Sequence, residues 1–386
     1  MEHRKASIDQ SENIVLVTGA SGYLALHCVR QLLEDGYRVR GTVRSLRNEY
    51  KARPIRDLDT DGRLELVEAD LEKADDWPKA VAGCTYILHV ASPWPIVADE
   101  SIIKTAVDGT MNVLRAANAS PGVKKIVLTS SCSAVNDGYK ESGRVFTEED
   151  WTNLENPTVV NYARSKTLAE RAAWDYYYNM KDGNRFELTV LNPTLVVGPI
   201  LSENDTGSLT IIKRFMSLKM PAVPKMQLAL VDVRDVAKAH VIAMTSEASN
   251  GHRILITAQP SFWFKDIARV LIAEFRHQGY LVSISHEVPY CLVKFLSYFD
   301  PHVASIMDRL NFEVKFDNSK AKNLLHMDFT PPEKALVDMI YSMVEKGVLE
   351  KHTKNYSGIS NNAIIVLVRH YWDKVTCPRN NSTSTK

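Results

Sequence analysis

The sequence predicts an α/β fold, a doubly wound parallel sheet with a smaller, mainly helical C-terminal domain, and three observations carry that prediction. Short apolar runs of strand length recur from Ile14 to Thr257, separated by stretches with helical spacing. This alternation is what a parallel sheet covered by helices on both faces requires. The first run enters a helix directly through Gly19 and Gly22. The chain is also long enough, at 386 residues with 45% hydrophobic content, to bury one large or two moderate cores.

Ile14 to Val17 is the first strand, apolar throughout as befits a strand buried on both faces. Gly19, Gly22 and Ala25 open the helix behind it. Gly19 permits a tight turn, Gly22 lets the backbone approach a pyrophosphate, and the small Ala25 lets helix pack on strand while the helix N-terminus faces the phosphates. This is a dinucleotide-binding turn, with Ser21, Tyr23 and Leu24 as further contacts. The next strand ends at Val43-Arg44, where an NAD-binding chain carries an acidic residue for the ribose hydroxyls. A carboxylate would repel a 2'-phosphate and a guanidinium can fork onto it, so the expected cofactor is NADP(H). Arg47 and Lys51 are additional candidates for the phosphate pocket.

Leu64 to Ala69 reads as the third strand, ending in Asp70-Leu71 where the adenine would lie. Tyr86 to Val90 is the fourth, followed by Ala91-Ser92-Pro93-Trp94-Pro95, and helical spacing returns from Ser101 to Ala117. Lys125 to Thr129, Leu188 to Leu191 and Arg253 to Thr257 complete the set. Ligands of such sheets sit beyond the C-terminal strand ends. Val90, Ala91, Ser92, Thr129, Asn192, Pro193 and Leu195 are therefore expected to touch the cofactor.

The fifth strand runs into Thr129-Ser130-Ser131-Cys132-Ser133, and a later helix carries Asn161-Tyr162-Ala163-Arg164-Ser165-Lys166. Tyr162 and Lys166 are one helical turn apart and share a face. An ammonium beside a phenol favours phenolate and lowers its pKa from ~10, which suits a general acid or base near neutrality. A serine hydroxyl at the neighbouring strand end can hold the same substrate oxygen. Ser131 is favoured as the last residue before the chain turns away, with Ser130 and Ser133 as alternatives. His89 and His240 fall outside this constellation and read as structural.

Composition excludes other classes. Lys and Arg total 47 against 46 Asp and Glu, a net charge of +1, so nothing marks the surface for nucleic acid or an anionic membrane. Met1 to Asn13 lacks the apolar core of a signal peptide, and no apolar run approaches the ~20 residues of a membrane span, so a cytoplasmic location is expected. Five cysteines without a C-x-x-C pair read as free thiols, with neither a disulfide framework nor a metal site. Residues 13–198 and 228–258 are expected to form the dinucleotide-binding domain, and 199–227 and 259–350 the substrate domain. Within the latter, Leu209 to Leu218 is helical and Pro221 and Pro224 break the chain, consistent with a mobile segment over a pocket. Trp94, Pro95, Met216, Met220 and Met226 are possible pocket lining, and Phe262-Trp263-Phe264 is expected to pack helices. Residues 351–386 read as an extension with a disordered end.

On these motifs the chain resembles the extended short-chain dehydrogenases/reductases, and within them the dihydroflavonol 4-reductase-like group. The resemblance rests on Val17-Thr18-Gly19-Ala20-Ser21-Gly22-Tyr23, Thr42-Val43-Arg44, Asp108-Gly109-Thr110-Met111-Asn112, Ser165-Lys166-Thr167-Leu168-Ala169-Glu170, Asn192-Pro193-Thr194-Leu195 and Asp232-Val233-Arg234-Asp235-Val236-Ala237-Lys238-Ala239-His240. It implies a Rossmann-type fold, a catalytic triad of Ser131, Tyr162 and Lys166, Lys166 also on the nicotinamide ribose, and Arg44 and Lys51 on the cofactor phosphate. It implies NADPH-dependent reduction of a carbonyl on a small, largely apolar or aromatic substrate, by a monomer or homodimer. Asn136 stands where plant flavonoid reductases have an asparagine against the flavonoid ring, so Trp94, Ser131, Asn136 and Tyr162 are the expected substrate contacts. The chain departs from the pattern in three places. Ala25 replaces the third glycine, no amide stands near Ala106 for the proton relay of broader relatives, and the tryptophan- and cysteine-containing pattern of cinnamoyl-CoA reductases is absent around Tyr162. A nucleotide-sugar epimerase or dehydratase with bound NAD and a noncatalytic nucleotide-binding regulator are the competing readings. Arg44 argues against the first, and intact Ser131, Tyr162 and Lys166 against the second.

Overall fold

The structure, a computed structural model, describes residues 12–93, 99–141, 143–181, 185–203, 207–216, 220, 222–304 and 306–351. Trp94, Pro95, Pro221, Cys377 and the extension beyond residue 351 lie outside them.

Seven strands form one parallel sheet: β1 (Ile14–Val17), β2 (Arg38–Val43), β3 (Leu64–Glu68), β4 (Tyr86–His89), β5 (Lys125–Thr129), β6 (Glu187–Pro193) and β7 (Arg253–Ile256). Their order is β7-β6-β5-β4-β1-β2-β3, with every neighbouring pair parallel. The winding therefore reverses between β1 and β4, which opens a crevice at their C-terminal ends.

The sheet is apolar on both faces because alternate residues point opposite ways. Val15, Val17, Leu88, Val127 and Leu191 face one core, packed by α1 (Tyr23–Glu34) and by the helix Val233–Thr245. Leu16, Ile87, Ile126, Leu128 and Leu188 face the other, covered by Val113 and Leu114 of α2 (Ser101–Asn118) and by Ala173, Trp174 and Tyr177 of α3 (Asn161–Tyr178). A third cluster gathers Leu209, Ile212, Phe215, Phe264, Leu271, Phe275, Leu336 and Met339 from three later helices. Met216, directly after the helix Gly207–Phe215, and Met226 are buried in this cluster. Phe262–Trp263 is a short strand, antiparallel to Gln227–Leu228, and Phe262 and Phe264 enter the same core.

Two short strands tie the second lobe back to the first: Lys315–Phe316 pairs in parallel with Val145–Phe146. Among the described residues no helix is long and apolar enough to cross a membrane, no set of His, Cys, Asp and Glu is arranged to hold a metal ion, and Cys28, Cys84, Cys132 and Cys291 are free thiols.

One glycine sets how closely β2 approaches the turn after β1. A Cβ on Gly41 would lie 2.8 Å from the Ala20 Cβ and 3.0 Å from a Leu66 methyl. The Leu66 methyl ends a half-buried, rotatable side chain and can give way, whereas the Ala20 Cβ is fixed to the backbone of the turn. Gly41→Ala should therefore lower stability by about 1–3 kcal/mol through overpacking. Urea denaturation measures this, and an unchanged midpoint would show that the sheet yields.

Candidate active site

The turn between β1 and α1 is held by threonines on both sides. Gly19 N–H donates to Thr42 Oγ1 at 2.9 Å and Ala20 N–H to the Thr42 carbonyl at 2.8 Å. Thr18 Oγ1 accepts from Ala91 N–H at 2.9 Å and bonds His89 Nδ1 at 2.9 Å. Gly19 adopts φ +64°, and a Cβ there would meet Ala91 Cβ at 3.0 Å. Only glycine leaves that space. Gly22 caps α1 with no side-chain hydrogen bond and no acidic residue follows in the first turn, so the helix N–H groups and dipole are left for an anion.

The remaining residues expected around a dinucleotide separate into two kinds. Arg44 is exposed just past β2 and makes no hydrogen bond or ion pair among the described residues. Arg47 is exposed beside it, and the Lys51 amide is held by the Asn48 side chain at 3.3 Å. Leu71 rests on Gly109, where a Cβ would lie 2.8 Å from it, and its carbonyl accepts from Asn112 at 2.9 Å. That accounts for the Asp-Gly-Thr-Met-Asn motif. The Asp70 carboxylate accepts the Glu72 amide at 3.1 Å. The Tyr23 hydroxyl donates to the Gly198 carbonyl at 2.6 Å, so its ring is turned from the glycine turn and its backbone stays there. Leu24, in the first turn of α1, packs against the core. An uncapped helix N-terminus, a glycine cradle and an unpaired arginine together fit a phosphorylated dinucleotide.

Beyond β5 the structure brings Ser131, Tyr162 and Lys166 to one place. The Ser131 hydroxyl accepts the Ser133 amide at 3.1 Å and shares a hydrogen bond with the Tyr162 phenol. Ser130 turns the other way and donates to Glu170 at 2.5 Å. Lys166 lies one turn along α3 and donates to the Thr129 carbonyl at 3.4 Å. It lines a small cavity with Ala91, Ser92, Thr110, Thr129 and Glu170, at the crevice where the winding reverses. Arg164 fixes the start of α3 by donating to the carbonyls of Leu154, Asn156 and Val159 at 2.9–3.1 Å.

Burial sets the protonation states. It raises the Tyr162 phenol above its ordinary value, with the Ser131 hydrogen bond pulling the other way. It lowers Lys166 to about 8, opposed by the nearby Glu170. The helical spacing predicts a phenol drawn down by the ammonium. In the structure burial is the largest influence on the phenol, and it acts in the opposite direction. His89 is pushed down to about 3 by burial and by Lys166, and His240 to about 4 by burial. Both are neutral. His240 bonds Thr129 Oγ1 at 2.7 Å and so steadies the strand end that carries the Lys166 acceptor.

Two groups near the site were invisible in the sequence. Glu170, wholly buried, gathers Ser130, Asn192 Nδ2 at 2.8 Å, Trp174 Nε1 at 3.3 Å and the guanidinium of Arg253. Glu170 stands one turn after Lys166, yet nothing local marks Arg253 as its partner. The second is Arg309, from the short helix Met307–Arg309, whose Nη2 donates to both Asp137 oxygens at 2.8 and 2.9 Å within electrostatic reach of Tyr162. Asn136, half-buried, has no side-chain hydrogen bond among the described residues.

The NAD dependent epimerase/dehydratase family matches residues 15–257. The chain is 32% identical over 353 residues to tetraketide alpha-pyrone reductase 1 of Arabidopsis thaliana, covering 89% of this chain and 98% of that protein. It is 35% identical over 345 residues to cinnamoyl-CoA reductase 1 of the same plant, covering 87% and 90%. Among solved structures it is similar to yeast methylglyoxal/isovaleraldehyde reductase Gre2 complexed with NADPH, with a TM-score of 0.73, 26% identity, and coverage of 87% of this chain and 99% of that one. The chain belongs to the NAD dependent epimerase/dehydratase family, the extended short-chain dehydrogenases/reductases, and is an oxidoreductase of that family.

Proposed function

We propose that the protein is an NADPH-dependent carbonyl reductase in which Tyr162 is the general acid and Ser131 and Lys166 support it. The observation that carries this reading is the Tyr162 phenol hydrogen-bonded to Ser131, with Lys166 one turn away, beyond the end of β5, which β4 separates from β1 and its glycine turn. Bound NADPH would supply the hydride to the carbonyl carbon. Ser131 and Tyr162 hold the carbonyl oxygen, and the phenol proton moves to it as the C–O double bond becomes a single bond. A phenol kept protonated by burial is stocked for this direction of reaction. The phenolate left behind keeps its Ser131 hydrogen bond and lies on the same helix face as the Lys166 ammonium, and solvent returns the proton. Two of the similar proteins, a cinnamoyl-CoA reductase and a methylglyoxal/isovaleraldehyde reductase, support a small aromatic or aliphatic carbonyl substrate.

The exposed Arg44 guanidinium supports NADPH over NADH, since it can meet a 2'-phosphate at the end of β2. Arg44→Asp should raise KM for NADPH far more than for NADH. Steady-state kinetics with both cofactors checks this, and equal losses would count against the assignment.

Tyr162→Phe keeps the ring and removes the transferable proton. Turnover in an NADPH-oxidation assay should fall by about 10²- to 10⁴-fold, the usual contribution of general acid catalysis, while NADPH binding by fluorescence titration is retained. Activity within a few-fold of the parent would mean that another group supplies the proton.

Lys166 is charged below about pH 8 and neutral above it. The rate of carbonyl reduction should therefore hold steady on the acid side and fall as pH rises through about 8. Lys166→Met should be slower at every pH and lack this alkaline limb, which a pH profile of kcat/KM would show.

A further inference from the structure

The reductase reading gives the Ser131 hydroxyl a task, holding the substrate oxygen, that needs the residue kept in place. Main-chain pairing does not reach that far. β5 and β6 are parallel with Thr129 opposite Leu191, and their ladder ends where the Ser130 amide donates to the Leu191 carbonyl at 2.8 Å. Val190 and Thr194 send their amides the other way, to the carbonyls of His252 and Ile256, so the next β6 donor facing β5 would be the amide of residue 193. That residue is Pro193, which has no N–H. Ser131 therefore lies just past the last rung.

The side chain of Asn192 takes up the missing rung. Fully buried, it donates Nδ2 to the Ser131 carbonyl at 3.2 Å and to Glu170 Oε2 at 2.8 Å. Both partners are acceptors, which fixes the orientation of the amide and leaves its Oδ1 with no donor among the described residues. An orphaned buried acceptor is costly, and an apolar side chain of the same size would avoid it. Packing alone therefore does not account for an asparagine here, whereas a link between two acceptors does. Glu170 is a firm post for that link, since Arg253 and Trp174 hold its other oxygen. At the far end, the Ser131 carbonyl also accepts the Ala134 amide at 2.9 Å, and the Ser131 hydroxyl accepts the Ser133 amide at 3.1 Å. With that N–H on the hydroxyl oxygen, its own proton is left to donate on the Tyr162 side.

Resting on the reductase reading, we infer that Asn192 is a positioning residue whose amide ties the Ser131 carbonyl to the Glu170 anchor and so holds the Ser131 hydroxyl where the phenol and the substrate oxygen meet it. Its effect on the reaction passes through Ser131. The buried, unpaired Oδ1 is the cost of this tie.

A double-mutant cycle isolates this role, with NADPH oxidation by the full-length protein measured on butanal and on benzaldehyde. Asn192→Leu should lower kcat by about 10- to 100-fold, the range for a displaced catalytic group, while NADPH affinity by fluorescence titration is unchanged. In a Ser131→Ala background no hydroxyl is left to place, so the same change should cost no more than about 2-fold. Losses that multiply across the two sites, or a kcat equal to that of the parent, would overturn the inference. A loss confined to NADPH affinity would overturn it too, and make Asn192 a cofactor contact. If Asn192→Leu does not fold by circular dichroism, Asn192→Ala is read in the same cycle. Should the parent protein reduce neither aldehyde, the reductase reading fails separately, and amide hydrogen exchange decides the inference without turnover. Asn192→Leu should then speed exchange several-fold at residues 132–136, whose amides hang on Ser131, and leave α3 unchanged. No change at residues 132–136, or an equal rise along α3, overturns it.

Discussion

A single buried carboxylate organises the working end of this sheet. Glu170 on α3 is closed off from solvent and bonded to Ser130 after β5, to Asn192 of β6, and to Arg253 of β7. It thereby pins the helix that carries Tyr162 and Lys166 to the ends of three adjacent strands. Removing one partner of a buried ion pair generally costs about 3–5 kcal/mol, because the other charge is left uncompensated. Arg253 is itself confined, stacked 3.6 Å from the Trp151 ring centroid and donating to the carbonyls of Glu148 and Asp150. The geometry of the site is therefore decided one layer below it.

The same economy of position governs the protons. Tyr162 and Lys166 are both taken out of water, and desolvation moves them in opposite directions, the phenol upward and the ammonium downward. The neutral histidines nearby serve as spacers with fixed hydrogen bonds to Thr18 and Thr129. Proton traffic is thus concentrated on one phenol, and its neighbours modulate that group.

Much of the fold was legible because its signals are local. Strand length, apolar runs and the glycines at Gly19 and Gly22 each report on a few consecutive residues, and β5 in particular spans the residues read from the chain, Lys125 to Thr129. The Tyr162 and Lys166 pairing was legible for the same reason, since helical spacing fixes it. What escaped the sequence depends on contacts between distant segments. Arg253 looks like any strand residue until β7 is set beside β6, and Arg309 gains meaning only when the second lobe places it against Asp137. The direction of the Tyr23 side chain was not legible, since a residue in a phosphate-binding turn can keep its backbone there and send its ring elsewhere, here to Gly198. The phenol's upward shift was likewise beyond reach, since spacing reveals neighbours and conceals burial.

That Tyr23 bond has a mechanical meaning. Together with His27, whose ring bonds the Pro199 carbonyl at 2.8 Å, it clamps the first helix of the nucleotide turn to the chain where β6 gives way to the second lobe. Both links fall at the seam between the halves of the molecule. The start of that helix therefore cannot shift without breaking these two bonds or carrying Gly198 and Pro199 with it.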